Sequence, residues 1–334
     1  MSALAGQRLL VTGATGFLGG GLVAHLLDQG AQVVAQGRQQ SRLDQLARDG
    51  AVPLQLDLSA SDAAARLARI GPIDAIIHAA ARSAAAGSWH LFQRDNIAAT
   101  ANLLRAARDL GAGRFVHVSS PSVAFAPRDQ LDLKESDPLP RPYTYYAASK
   151  RRAEELVLSH PDLRPIILRP RGVYGQGDAH LLPRLLTAAR RGPLPLFRGG
   201  AGRIDLTHID DVIGAVIAAL RAPDDCNGRV FNISSGQVVA VRDIIECAAA
   251  RAGIGVHWRA VPLRPSLWTA ALLEKTWLIL RRQDEPPVTR YGLALLAYAQ
   301  SLCLDQARDH LGWSPQVDFA DGLRRTFGPK DRAA

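Results

Sequence analysis

An α/β fold built on a doubly wound parallel sheet follows from three features of the sequence. Short β-rich runs alternate with helical stretches through the first half, and a glycine-rich turn joins the first run to the first helix. After residue 169 the rhythm loosens into proline- and glycine-rich loops. With 334 residues, 47% apolar and 21% charged, the chain can bury one large core with a smaller appendage.

The elements follow in order. RLLVTG (8–13) reads as a buried strand, and FLGGGLVAHLLDQG as a helix that ends at Gly30. AQVVAQ, AVPLQLD, IDAIIHAA, RFVHVSS and RPIILRP read as five further strands, with helices between them, notably at 91–110 and 144–159. Later, a helix is expected at 180–191, a strand at RVFNIS and a helix at 241–252. Residues 1–170 are expected to form a Rossmann-type nucleotide domain, with segments around 205–235 returning to it. Residues 171–334 then form mostly a smaller C-terminal substrate domain.

The formal charge of +9 is spread over scattered arginines without a long basic run, and aromatics make up 6%. That pattern argues against a nucleic-acid platform and for an arginine-rich but ordinary enzyme surface, which could still draw in anionic cofactors or acidic substrates. Three distant cysteines, Cys226, Cys247 and Cys303, fit a reducing compartment and give no disulfide framework. The N-terminus lacks a signal-peptide layout. The longest apolar stretch, Leu267 to Leu280, is broken by Glu274 and Lys275 and too short to span a bilayer, so a cytoplasmic protein is expected.

VTGATGFLG places Gly13, Gly16 and Gly19 between a first strand and a first helix. A pyrophosphate needs that arrangement: a tight turn, close backbone approach and a helix N-terminus facing negative charge. The second strand runs into GRQQ without the carboxylate of an NAD-preferring site. Arg38 stands there instead, able to pair with a 2′-phosphate, so NADP(H) is favoured and NAD(H) remains admissible. Asp57, ending the third strand, can accept the adenine amino group or cap the following helix.

Tyr146 and Lys150 are four residues apart, hence one turn apart on one helical face. A nearby ammonium favours a phenolate, which would lower the phenol's pKa and make it a proton donor and acceptor. Tyr145 points elsewhere, and Tyr143 lies about 10 Å down the axis. VHVSSPSV ends the fifth strand with Ser119, Ser120 and Ser122 at the carboxyl edge of the sheet, where one hydroxyl can hold a substrate oxygen.

Taken together, TGATGFLG, IIHAAA, the asparagine of RDNIAATANLL, VSSPSV, YAASK, LRPRGVYGQGD, THIDDV and RVFNISSG resemble the extended short-chain dehydrogenase/reductases, in family order. The resemblance implies Ser120, Tyr146, Lys150 and Asn96 as catalytic residues. It implies a cofactor site of Gly13, Thr15, Gly16, Phe17, Leu18 and Gly19, with Arg38, Asp57, Leu58, Ala79, Ala80, Lys150, Pro170 and Val173. Sugar-nucleotide members carry an arginine and an aromatic before the THIDD element; here Ile204 and Leu206 stand in those places. SSPSV, RPRGVYGQGDAHLLPRLL and EPPVTRY are more similar to the branch of 3β-hydroxysteroid dehydrogenases and 2-alkyl-3-oxoalkanoate reductases.

The expectation is therefore an NADP(H)-dependent oxidoreductase of a hydrophobic ketone or secondary alcohol, a β-keto acid or a 3β-hydroxysteroid-like molecule. A nucleotide-sugar epimerase and a non-catalytic dinucleotide sensor are the alternatives. SLWTAALLEKTWLILR (266–281) is expected to line an apolar pocket or core, ahead of a dimer contact or a weak peripheral membrane contact. His180 and Arg184 can meet a polar end of the substrate. His208, Asp210 and Asp211 lack metal-site spacing, and no metal is expected. A homodimer stays open.

Overall fold

The computed structural model describes residues 4–179, 181–280, 282 and 285–328. Seven strands form a parallel sheet: β1 (Arg8–Thr12), β2 (Gln32–Gly37), β3 (Val52–Gln55), β4 (Ala75–His78), β5 (Arg114–Val118), β7 (Pro165–Pro170) and the strand Val230–Ile233. β6 (Gln130–Leu133) belongs to a second sheet. The order across the large sheet is Val230–Ile233, β7, β5, β4, β1, β2, β3. The chain steps outward from β1 in one direction and then returns to step from β4 in the other. β1 and β4 therefore flank a switch point, and ligands bind beyond the carboxyl ends of strands there.

β1 shows why these residues make a doubly covered strand. Leu9 and Val11 enter the core on one face, while Leu10 enters the core on the other. The first face is covered by α1 (Phe17–Asp28) and the helix Ile209–Arg221, through Leu22, Leu26, Ile213 and Val216. The second is covered by α3 (Ala63–Ala68), α5 (Ala99–Asp109) and α6 (Tyr145–Leu158), through Leu67, Leu103 and Val157. Pro53 interrupts β3, which it can do because β3 is an edge strand with one partner. The short α2 (Gln40–Arg48) returns the chain from β2 to β3.

The stretch expected as one helix at 91–110 is a composite. α4 (Trp89–Phe92) runs through a π-helical turn, Gln93–Ala98, into α5. Such a turn holds one extra residue and re-aims its side chains, a device common at functional sites. The second sheet joins Val238–Ala240, Arg203–Asp205, Ala299–Leu302 and β6. Helices Leu182–Arg191, Val241–Arg251, Leu263–Ile279 and Arg290–Ala297 lie in the C-terminal half. Among the described residues, no helix is long and apolar enough to cross a membrane.

Candidate active site

A cleft of about 360 Å³ opens where β1, β2 and β4 end. Gly13 turns the chain out of β1 at φ 68°, a conformation that disfavours a side chain, and an added Cβ would meet the Ala80 backbone at 2.8 Å. Gly19 lets α1 pack down onto that turn, since a Cβ there would lie 2.1 Å from the Gly13 carbonyl oxygen. Of the residues the resemblance implies for a cofactor, Gly13, Thr15, Gly16, Phe17, Arg38, Asp57, Leu58, Ala79 and Ala80 line the cleft. Leu18, Gly19, Lys150, Pro170 and Val173 do not line it. Leu18 packs against the core, and Val173 sits in a short strand paired with Thr207–His208.

Arg42, Arg82 and Asp95 join the cleft, and composition alone does not single them out. Asp95 is buried and accepts hydrogen bonds from Arg82 (2.8 Å) and Arg94 (2.7 Å), with Arg38 4.0 Å away. A usable signal existed for two of them: Arg42 lies in the first turn of α2, four residues after Arg38, and Arg82 follows the IIHAAA run at the strand's carboxyl end. Asp57 accepts from the Ser59 amide (2.9 Å) and hydroxyl (2.7 Å), so it shapes its own turn while facing the cleft. A cradle closed to side chains, a helix N-terminus and arginines suit the phosphates of a dinucleotide.

Beyond β5 the three serines part ways. The Ser119 hydroxyl donates to Glu154, which is locked by Arg169 at 2.7 and 2.9 Å. Ser122 is buried. Of the three, Ser120 is the one that acts on the Tyr146 hydroxyl, in the sense that favours its phenolate. Tyr146 is in place because Thr144 caps α6, accepting from the Ala147 amide at 3.0 Å. Burial pushes the Tyr146 phenol up to about 12, against the Ser120 hydrogen bond, which favours the phenolate.

That shift runs opposite to the lowering expected from a neighbouring Lys150. The physical reason lies in where the ammonium goes. Lys150 is 1% exposed, and its Nζ donates to the Val118 carbonyl (2.8 Å) and to His117 Nε2 (3.1 Å). Burial draws its pKa down to about 8, with Glu154 acting in the opposite sense. Beneath it runs a polar chain that sequence reasoning missed. His117 faces His78 with ring centroids 5.1 Å apart; His78 meets Thr12 (2.8 Å) and Thr100 (2.9 Å). Burial keeps both imidazoles neutral, His78 at about 3.

Asn96 lies in the π-helical turn. Its Nδ2 donates to the Ser149 hydroxyl at 2.8 Å, and its Oδ1 accepts from the Arg82 amide at 2.7 Å. Ser149 in turn donates to the Tyr146 carbonyl at 2.8 Å, which ties the turn to the start of α6.

A second cavity of about 450 Å³ lies on the far side of α6's first turn. Tyr143, Tyr145, Ala148, Arg290 and Tyr291 line one side, and Ala271, Glu274, Trp277 and Leu278 the other. Half of the expectation for 266–281 is met, since one tryptophan lines the cavity while Trp268 is 80% exposed. Tyr143 packs on Phe125 (5.2 Å) and Tyr145 on Trp89 (5.8 Å). Arg184 is ion-paired with Glu285, and His180 lies outside the described residues. His208 caps the helix Ile209–Arg221 by accepting from the Asp210 amide. Ile204 and Leu206 pack in the core of the C-terminal half.

The parallel sheet, the glycine turn and the cleft define a nicotinamide-dinucleotide-dependent enzyme. Residues 9–234 match the NAD dependent epimerase/dehydratase family, and the chain belongs to that family. It is an NAD(P)-dependent oxidoreductase of the extended short-chain dehydrogenase/reductase type, acting on CH–OH groups. A 2-alkyl-3-oxoalkanoate reductase of Stenotrophomonas maltophilia is 33% identical over 96% of this chain and 98% of its own length. A 4-hydroxy-2-methyl-3-oxo-4-farnesyl-3,4-dihydroquinoline-1-oxide ketoreductase of Stigmatella aurantiaca is 32% identical over 98% of each. The fold matches UDP-glucuronic acid 4-epimerase from Bacillus cereus, solved with NAD, at a TM-score of 0.74, with 24% identity over 96% of this chain and 95% of that one.

Proposed function

We propose that the protein is an NADP(H)-dependent ketoreductase that interconverts a ketone and a secondary alcohol on a hydrophobic substrate of the β-keto acid or 3β-hydroxysteroid class. The observation that carries this reading is the Ser120–Tyr146 pair, with Tyr291 acting on the Tyr146 hydroxyl and itself lining the second cavity together with Trp277 and Leu278. Two relatives with ketone-reductase names support the substrate class.

The bound nicotinamide supplies or accepts the hydride. In the reductive direction, Tyr146 Oη gives its proton to the substrate oxygen as the carbonyl π bond breaks, and the phenolate regains a proton from solvent. A phenol raised to about 12 is protonated at neutral pH, which suits it to that donation. The Ser120 hydroxyl orients the substrate oxygen. Lys150, with two of its N–H groups held by Val118 and His117, has one left for the ribose hydroxyls. Asn96 braces the start of α6 through Ser149.

Preference for NADP(H) is supported by Arg38 and Arg42 lining the cleft where β2 ends without a carboxylate. The same reading divides the chain into a nucleotide domain over 1–170 and a mostly substrate-binding remainder. Three free cysteines accord with a reducing, cytoplasmic setting.

Cofactor consumption measured across β-keto acids, steroids and sugar nucleotides, with NADPH and NADH, tests the assignment. The expected result is NADPH oxidation with a β-keto acid or sterol ketone. Tyr146→Phe should lower kcat by at least about a hundredfold while NADPH still binds. Turnover of a UDP-sugar with retained NAD would replace this reading with epimerisation.

A further inference from the structure

The helix Leu263–Ile279 has two unlike sides. Its inner side is tied down: Ala270 is buried, Leu263 and Leu267 pack against the core around Phe197 and Leu293, and Trp277 and Leu278 line the second cavity. Arg264, Trp268, Leu272, Lys275 and Ile279 recur at three- and four-residue spacing, so they share the opposite side. Trp268 is 80%, Leu272 67% and Ile279 69% exposed, with Leu280 just beyond the helix at 62%. Scattered apolar side chains on a surface need no explanation, but three in one stripe, with a fourth just past its end, do.

We propose that this outer side docks on an anionic lipid surface. The charges on it have one sign. Arg264 and Lys275 are both exposed, whereas the helix's carboxylate, Glu274, is turned away and bound by the Arg290 side chain and amide, each at 2.8 Å. The hydroxyls are also prepared for a medium without water: Thr269 and Thr276 donate to the Pro265 and Leu272 carbonyls at 3.0 and 2.9 Å. A large aromatic beside aliphatic and basic residues, on a helix lying along the surface, is the composition of an interfacial helix. The chain's net charge of +9 adds long-range attraction. A second copy fits less well, because a two-fold contact would set Arg264 and Lys275 against their own kind. Arg141 and Lys275 rim the cavity mouth beside this face, and the exposed Trp89–Tyr145 pair flanks it. Docking stands independently of the reaction proposed above.

The test is co-sedimentation of the full chain with phosphatidylcholine vesicles, with and without phosphatidylglycerol, at low and high salt. The wild type is expected to partition at least about tenfold more strongly onto the anionic vesicles, and less so as salt rises. Trp268→Ser with Leu272→Ser and Ile279→Ser should abolish that binding, and Arg264→Glu should weaken it about tenfold or more. Both variants should keep the wild-type melting temperature, since the altered side chains are exposed. A wild type that stays in the supernatant with either lipid overturns the proposal. So does a triple variant that binds undiminished, or a dimer in sedimentation velocity that the triple variant dissolves.

Discussion

Lys150 and the two histidines beneath it make the site's protonation a property of the fold as well as of the reaction. Lys150 is charged when unfolded up to its ordinary 10.5, but when folded only up to about 8. Between those values the unfolded chain binds more protons, so folding stability should rise with pH through that window. The gain is on the order of 3 kcal/mol. His78 and His117 act in the same sense on the acid side, and stability should fall as pH drops below about 6.5. Tyr146 acts oppositely: its folded pKa is raised from 10 to about 12, so stability is lost as pH climbs through that range. Urea unfolding of the wild type and of Lys150→Met, from pH 7 to 10, checks this. The wild type should gain stability relative to the variant as pH rises, and parallel curves would contradict it. His117 should also matter kinetically, because its Nε2 is an acceptor for the ammonium. His117→Leu should move the basic limb of the pH–rate profile downward, and His117→Gln, which can still accept, should restore it.

At the scale of elements, α6 does most to assemble the site, since its first turn carries Tyr146, its second Lys150 and its third Glu154. The i, i+4 pairing of tyrosine and lysine was readable, whereas Thr144, expected as the first helical residue, is the cap. The destination of the lysine was not. Spacing says that two side chains share a face, but Lys150 is long enough to reach down to Val118 and His117 instead. The π-helical turn was equally unreadable, because residues 91–110 keep one amphipathic rhythm across the extra residue. Thr144→Ala should lower stability by about 1 kcal/mol through the lost cap. It should also cut kcat, because fraying would free Tyr146 from Ser120. Glu154→Ala leaves Arg169 buried without its partner and should cost about 3–5 kcal/mol, read as a lowered urea midpoint. If Glu154→Ala unfolds at the wild-type midpoint, the pair does not anchor α6 to β7.

Across the whole molecule, the parallel sheet and the glycine turn were legible because one alternating pattern of strands and helices and one steric demand produce them. The second cavity was not, because it is built from pieces as far apart in sequence as Gly87, Tyr143 and Trp277, with no period to link them. The basic charge looked like a diffuse property of the surface, yet Arg38, Arg42 and Arg82 gather it at one cleft. That concentration makes a prediction that needs no substrate. A ligand bound only by the folded chain stabilises it by about 2.7 kcal/mol at a hundred times its Kd. NADPH should therefore raise the melting temperature by a few degrees, and NADH at equal concentration by less. Raising salt should shrink the NADPH effect faster than the NADH effect if, as proposed, the extra phosphate meets the exposed Arg38. Arg38→Ala should bring the two cofactors close together. Equal shifts for both cofactors in the wild type, unchanged by salt, would mean that the arginines do not read the 2′-phosphate.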